Sequence, residues 1–141
     1  MENLIQLLAA LVGSLGFALL FGVPRRYLVF CAVGGMLAWG IYLLMEQWLH
    51  MSFLSCLTAA GFAVVYAELM ARLLKIPATL FVITTIIPLV PGGTLYYAMS
   101  YAVRGDLAQA RYFGTQTLLA GLAIAAGISF VIAFRELRTK R

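Results

Sequence analysis

A chain of 141 residues that is 64% hydrophobic and 11% charged, with a mean hydropathy of +1.00, lies far above the roughly 45–50% apolar content of soluble domains and excludes a water-soluble fold. Its net charge of +5 would suggest nucleic acid in a soluble protein. Here the basic residues sit at the ends of apolar runs, where they meet lipid phosphate, so the partner they indicate is the bilayer and not nucleic acid.

Charged residues bound uncharged runs of 22, 19, 21, 28 and 23 residues. Each suffices to cross about 30 Å of hydrocarbon at roughly 1.5 Å per residue. The expectation is an all-α integral membrane protein, one membrane domain over 1–141, with five spans near 4–23, 28–45, 52–72, 78–103 and 112–134. The first span differs from a cleaved signal peptide, because Met1-Glu2-Asn3 has no positive start and the apolar run is long, with no clear small-residue cleavage site. Connections at Pro24 to Tyr27, Glu46 to Met51, Leu73 to Pro77 and Arg104 to Arg111 leave no room for a soluble domain between spans.

Three spans carry small residues at four-residue spacing, which lets membrane helices approach closely. These seams are Ala10, Ser14, Ala18 and Gly22 in the first, Ser55, Ala59, Ala63 and Ala67 in the third, and Thr117, Gly121, Ala125 and Ser129 in the fifth. They are expected to pack the bundle; a homo-oligomer face is the second reading. In the third span Glu68 lies one turn before Arg72, a favourable spacing for an ion pair. An interfacial salt bridge is one reading of Glu68, and a coupling or gating carboxylate the other. Cys31 and Cys56 fall inside different spans with no disulfide or metal-ligand pattern, and His50 stands alone in a connection, so neither a metal nor a cofactor is expected.

The fourth span is where the helical pattern fails. Pro77 suits the first turn of a helix. Pro88 and Pro91 then each remove a backbone donor, and Gly92 and Gly93 add backbone freedom, so the helix is expected to break near mid-membrane between Ala78–Ile87 and Thr94–Val103. Unpaired backbone at that depth requires protein or a water-filled cavity around it. Two opposed half-helix ends there would favour an anion at the N–H groups near Gly92, Gly93 and Thr94, the arrangement of a transporter site. Thr84 and Thr85 before the break and Tyr96 and Tyr97 after it add hydroxyls, completing a candidate substrate site of Thr84, Thr85, Pro88, Pro91, Gly92, Gly93, Thr94, Tyr96 and Tyr97. A kink that only shapes packing is the competing reading. Gln116, one turn into the fifth span, either lines an access path or bonds a neighbouring helix.

With the amino terminus outside, eight of the ten basic residues lie on the inner face, including those of the tail from Arg135 to Arg141. That orientation satisfies the positive-inside rule. No HExxH, Gly-x-Ser-x-Gly, P-loop lysine or potassium-filter repeat is present, so the sequence points to gradient-driven transport and not to an enzyme or a channel.

The segment YAELMARLLKIPATLFVITTIIPLVPGGTLYYAM, Tyr66 to Met99, resembles the core of the threonine/serine exporter (ThrE) family, and in particular its small YjjB-like half. GFALLFGVPRR, Gly16 to Arg26, with the apolar stretch containing Cys31, is similar to that half's first connection. The most specific element is Ile-Pro-Leu-Val-Pro-Gly, Ile87 to Gly92, followed by the tyrosines. The resemblance implies a bacterial inner-membrane exporter of threonine and serine or, in split pairs, of a dicarboxylate such as succinate. Because the family has fused ten-span chains and split pairs, it also implies a larger membrane companion. A non-transporting accessory subunit is the alternative.

Overall fold

The computed structural model describes residues 2–139. Six helices follow in order: α1 (Glu2–Leu20), α2 (Leu28–Leu49), α3 (Ser52–Leu74), α4 (Ala78–Ile86), α5 (Gly92–Val103) and α6 (Leu107–Thr139), with 3-10 turns at Arg25–Tyr27 and Ile87–Leu89. The described residues contain no strand. Helices α1, α2, α3 and α6 are long and apolar enough to cross a bilayer, and α4 with α5, bent by 51° at the break, supply a fifth crossing if the pair is one span. The protein is therefore an all-α, multi-pass membrane protein. Lys140 and Arg141 of the basic tail lie outside the described residues.

Helix ends follow from local backbone chemistry. At the end of α1, Gly22 takes the left-handed conformation (φ +69°), so that the Val23 N–H reaches the Ala18 carbonyl at 3.0 Å and the Gly22 N–H reaches Leu19 at 3.1 Å. These two bonds satisfy carbonyls that the helix end would otherwise orphan. Gly105 (φ +80°) ends α5 the same way, with Asp106 N–H on the Tyr101 carbonyl. The Asp106 carboxylate then accepts the Gln109 N–H at 3.2 Å and starts α6 at once. The last helix accordingly begins five residues before the expected Tyr112, and Arg111 lies on it instead of in a connection. Likewise α2 runs on through Glu46 to Leu49 before His50 turns the chain.

Close approach is concentrated on two seams. Along α3, Ser55, Ala59, Ala63 and Ala67 are all fully buried, and along α1 Ala10, Ser14 and Ala18 are buried as the four-residue spacing predicts, whereas Gly22, the fourth expected member, is exposed beyond the helix end. The seam expected on the last helix is displaced: Gly121, Ala125 and Ser129 are exposed, while Ala123, Ile124 and Gly127 face α3. Thr117 alone of the expected set turns partly inward. The reason is backbone contact. A Cβ on Gly127 would strike the Leu57 carbonyl and meet Gly61 N at 3.2 Å, so only glycine lets the two helices touch there.

Helix α2 is the hub. A side chain at Gly34 would meet Tyr66 of α3 and Thr85 of α4, and one at Gly35 would overlap Ser14 of α1 and meet Pro88 of the break. The Tyr66 hydroxyl donates to the Phe30 carbonyl at 2.9 Å, tying α3 to α2. In contrast, α5 buries none of its residues and packs chiefly on α6.

Gly127→Ala should lower the thermal unfolding midpoint in detergent, a loss of about 1–3 kcal/mol from overpacking against rigid backbone. Gly121→Ala, where an added methyl meets open space, should leave the midpoint unchanged or slightly raised. Equal midpoints for the two variants would contradict the α3–α6 contact.

Candidate functional site

The break departs from the expected geometry in its details. Pro88 does not stop the chain from coiling; it sits in the first positions of the 3-10 turn Ile87–Leu89, which tightens the end of α4. The gap itself is Val90 and Pro91. Val90 N–H donates to Ile87 O at 3.1 Å and Gly92 N–H to Val90 O at 2.7 Å. Helix α5 starts at Gly92, two residues before the expected Thr94, and neither Gly92 nor Gly93 has a positive φ. The glycines are thus not demanded by backbone conformation. What they contribute is openness, since a Cβ at either would find no atom within 4 Å.

Pro91 caps α5 without any side-chain hydrogen bond. The N–H groups of Gly93 and Thr94, in the first turn, have no carbonyl one turn back, whereas the Leu95 N–H reaches Pro91 O at 3.1 Å. Gly92, Gly93 and Thr94 line a cavity of about 410 Å³ between the break, α2, α3 and α6, within the size range of small-molecule sites. Thr94 Oγ1 donates to Pro91 O at 3.1 Å and lies 2.9 Å from Thr117 Oγ1 of α6. Thr117 Oγ1 is also 2.9 Å from the Phe113 carbonyl, and its single proton serves one acceptor at a time.

The opposite wall is made by Trp39 and Tyr42 of α2, whose rings stack at 4.8 Å, and by Ser52 and Cys56 of α3. Trp39 Nε1 is shielded from solvent with no acceptor, an unused donor in the cavity wall. Gln116 of α6 lines this cavity and also a second one of about 320 Å³ beside His50 and Met51. The two share Ser52, Gln116 and Ala120, so they adjoin between the break and the α2–α3 connection.

Of the residues singled out in the sequence, Pro88, Pro91, Gly92, Gly93, Thr94 and Gln116 meet at this cavity. Thr84 and Thr85 are fully buried elsewhere: Thr84 Oγ1 donates back to the carbonyls of Leu80 and Phe81, and Thr85 packs at Gly34 with its hydroxyl unpartnered. Tyr96 and Tyr97 are 68% and 51% exposed on the outer face of α5, with Tyr97 against Phe113 at 5.4 Å. Glu68 pairs with Arg135 of α6 at 2.7 Å, not with Arg72. An interhelical partner aligned by α3–α6 packing wins over a neighbour on the same helix. Trp39, Tyr42, Ser52 and Cys56 escaped the sequence reading; their signal is the spacing Trp39, Tyr42, Glu46, one helical face carrying two aromatics and an acid.

Taken together, a multi-span bundle with a helix interrupted beside a largely apolar cavity that holds a few polar groups defines a membrane transporter architecture. The family model for the threonine/serine exporter, ThrE, matches residues 6–134, and the chain belongs to that family, a family of transporters. No solved structure matches the chain.

Proposed function

We propose that this threonine/serine exporter-type protein binds the carboxylate of its substrate at the amino-terminal end of α5 and carries it as one half of a two-part secondary exporter in the bacterial inner membrane. The observation that carries the reading is the uncapped start of α5, with Gly93 and Thr94 in the wall of a cavity of about 410 Å³. Free N–H groups and the positive end of the helix dipole favour an anion there. No carboxylate lines that cavity, so nothing of like charge opposes one.

The exposed side of the same feature supports a larger membrane companion. Val90 is 57% exposed, Gly92 and Gly93 are exposed, and α5 buries nothing. Backbone ends at membrane depth need a covering of protein, and a second, inverted half would supply it while completing the site. Amino terminus outside and carboxyl terminus inside remains the orientation that places most basic residues on the cytoplasmic face. Glu68 and Arg72 lie apart from the cavity, and in this reading Glu68 is a structural partner of Arg135.

Gly93 lines the cavity and a Cβ added there meets no atom within 4 Å, so Gly93→Leu is the substitution chosen to obstruct it. It should abolish export of threonine, by roughly tenfold or more, while expression and complex formation persist; unchanged export would remove the α5 terminus from the site. Reconstituted alone in liposomes, the chain should transport poorly and recover on addition of a co-purifying companion, and full activity alone would contradict the two-part reading. Tags on each end should be reached from outside at the amino terminus and from the cytoplasm at the carboxyl terminus.

A further inference from the structure

We propose that the outward stripe of α5, formed by Gly92, Tyr96, Met99 and Val103, is the surface on which the companion half docks, with the Tyr96 hydroxyl donating to an acceptor on one of its membrane helices. The proposal rests on the reading of a two-part exporter and adds to it the face, the depth and the bonding group.

Helix α5 has two faces of unlike character. Thr94 and Tyr101 turn to α6, where Thr94 Oγ1 lies 2.9 Å from Thr117 Oγ1 and the Tyr101 ring stacks on Phe113 at 5.6 Å. Tyr97 lies against the same Phe113 at 5.4 Å. The other face is bare: Gly92 is exposed, and Tyr96, Met99 and Val103 are 68%, 63% and 87% exposed. These four residues recur at intervals of four, three and four, the spacing that lays one continuous seam along a helix for a partner helix to enter. At its start Gly92, whose added Cβ would find no atom within 4 Å, leaves room for a second backbone to come close.

Met99 and Val103 suit lipid as well as protein. Tyr96 decides between them. Its ring meets the edge of Tyr97 at 5.6 Å, and among the described residues its hydroxyl has no hydrogen-bond partner. Helix α5 ends at Val103 and the charged Arg104 follows, so Tyr96 lies eight residues, about 12 Å along the helix, below that boundary. Side chains on a helix lean towards its amino terminus, which carries this ring deeper still, away from the headgroup level where tyrosines anchor. A hydroxyl in hydrocarbon loses its water, and lipid tails offer no acceptor in exchange. The uncapped first turn of α5, which begins on the same stripe, makes the same demand for acceptors. A second copy of this chain would set uncapped N–H groups against their equals, whereas a different chain can bring the acceptors that both features lack.

The test uses liposomes holding the full chain together with the companion that restores its transport. A photo-reactive benzoylphenylalanine is placed at Tyr96, at Met99 or, on the exposed face of α1, at Val12. Irradiation should join the chain to the companion from positions 96 and 99 and not from position 12. Tyr96→Phe, which keeps the ring, should lower the fraction of companion retained in detergent about threefold, the scale of one interhelical hydrogen bond in a membrane. Tyr97→Phe should leave that fraction unchanged. Adducts with a second copy or with lipid alone at 96 and 99, or equal adducts from position 12, overturn the assignment, as does a Tyr96→Phe variant that holds the companion as well as the wild type does. Failure of the two-part reading looks different: the chain then transports fully alone and no added protein raises its rate, which removes the docking surface with it.

Discussion

Everything in this molecule turns on how closely α2 lets its neighbours approach at Gly34 and Gly35. In a bilayer, lipid tails compete on equal terms with apolar side chains, so helices gain little from burying leucine against leucine and much from backbone proximity. The two glycines remove the side chains that would hold α1, α3, α4 and the break apart, and Ser14, Tyr66, Thr85 and Pro88 come in against the bare backbone. That contact seats the 3-10 turn, buries Leu89 among Ala59, Ala60 and Ala63, and so sets where the interrupted helix meets the bundle. The cavity is the space left over on the far side.

The break is a compromise between two demands. Missing donors at Pro88 and Pro91 force the backbone out of the α-helical ladder, and hydrocarbon forbids leaving its polar groups bare. The chain meets the first demand with a tightened turn, in which Val90 and Gly92 bond to carbonyls three and two residues back, respectively. It leaves the second partly open, because the first turn of α5 faces the cavity. An interruption of this form costs stability and provides binding groups that no side chain has to supply.

How much was legible in advance depended on the range of the interaction. The apolar helices, the interruption and the α3 seam are written in local runs and in four-residue spacing; the seam appears where the spacing puts it, while helix ends at α2, α5 and α6 shift by two to five residues. The α6 seam was misplaced because Gly127 is selected by the Leu57 carbonyl on another helix, a constraint invisible along α6 itself. Thr84 and Thr85 seemed to belong to the break because they are near it in sequence. Both are packed inside the bundle instead, Thr84 bonded back to its own helix and Thr85 against Gly34 of α2, so neither hydroxyl reaches the cavity. Glu68 found Arg135 across an interface, 67 residues away in the chain, where sequence proximity had favoured Arg72.

By itself, the sequence determined the solvent this protein folds in, its all-helical class, and the place where one of its helices must fail, since hydropathy, proline and glycine act through the chain's own backbone. Only the tertiary structure decided which side of the failed helix is walled, which hydroxyls reach it, and that Trp39, Tyr42, Ser52 and Cys56 line one cavity with the start of α5. Those relations depend on the rotation and depth of packed helices, and a helix's rotation about its own axis is set by what it touches.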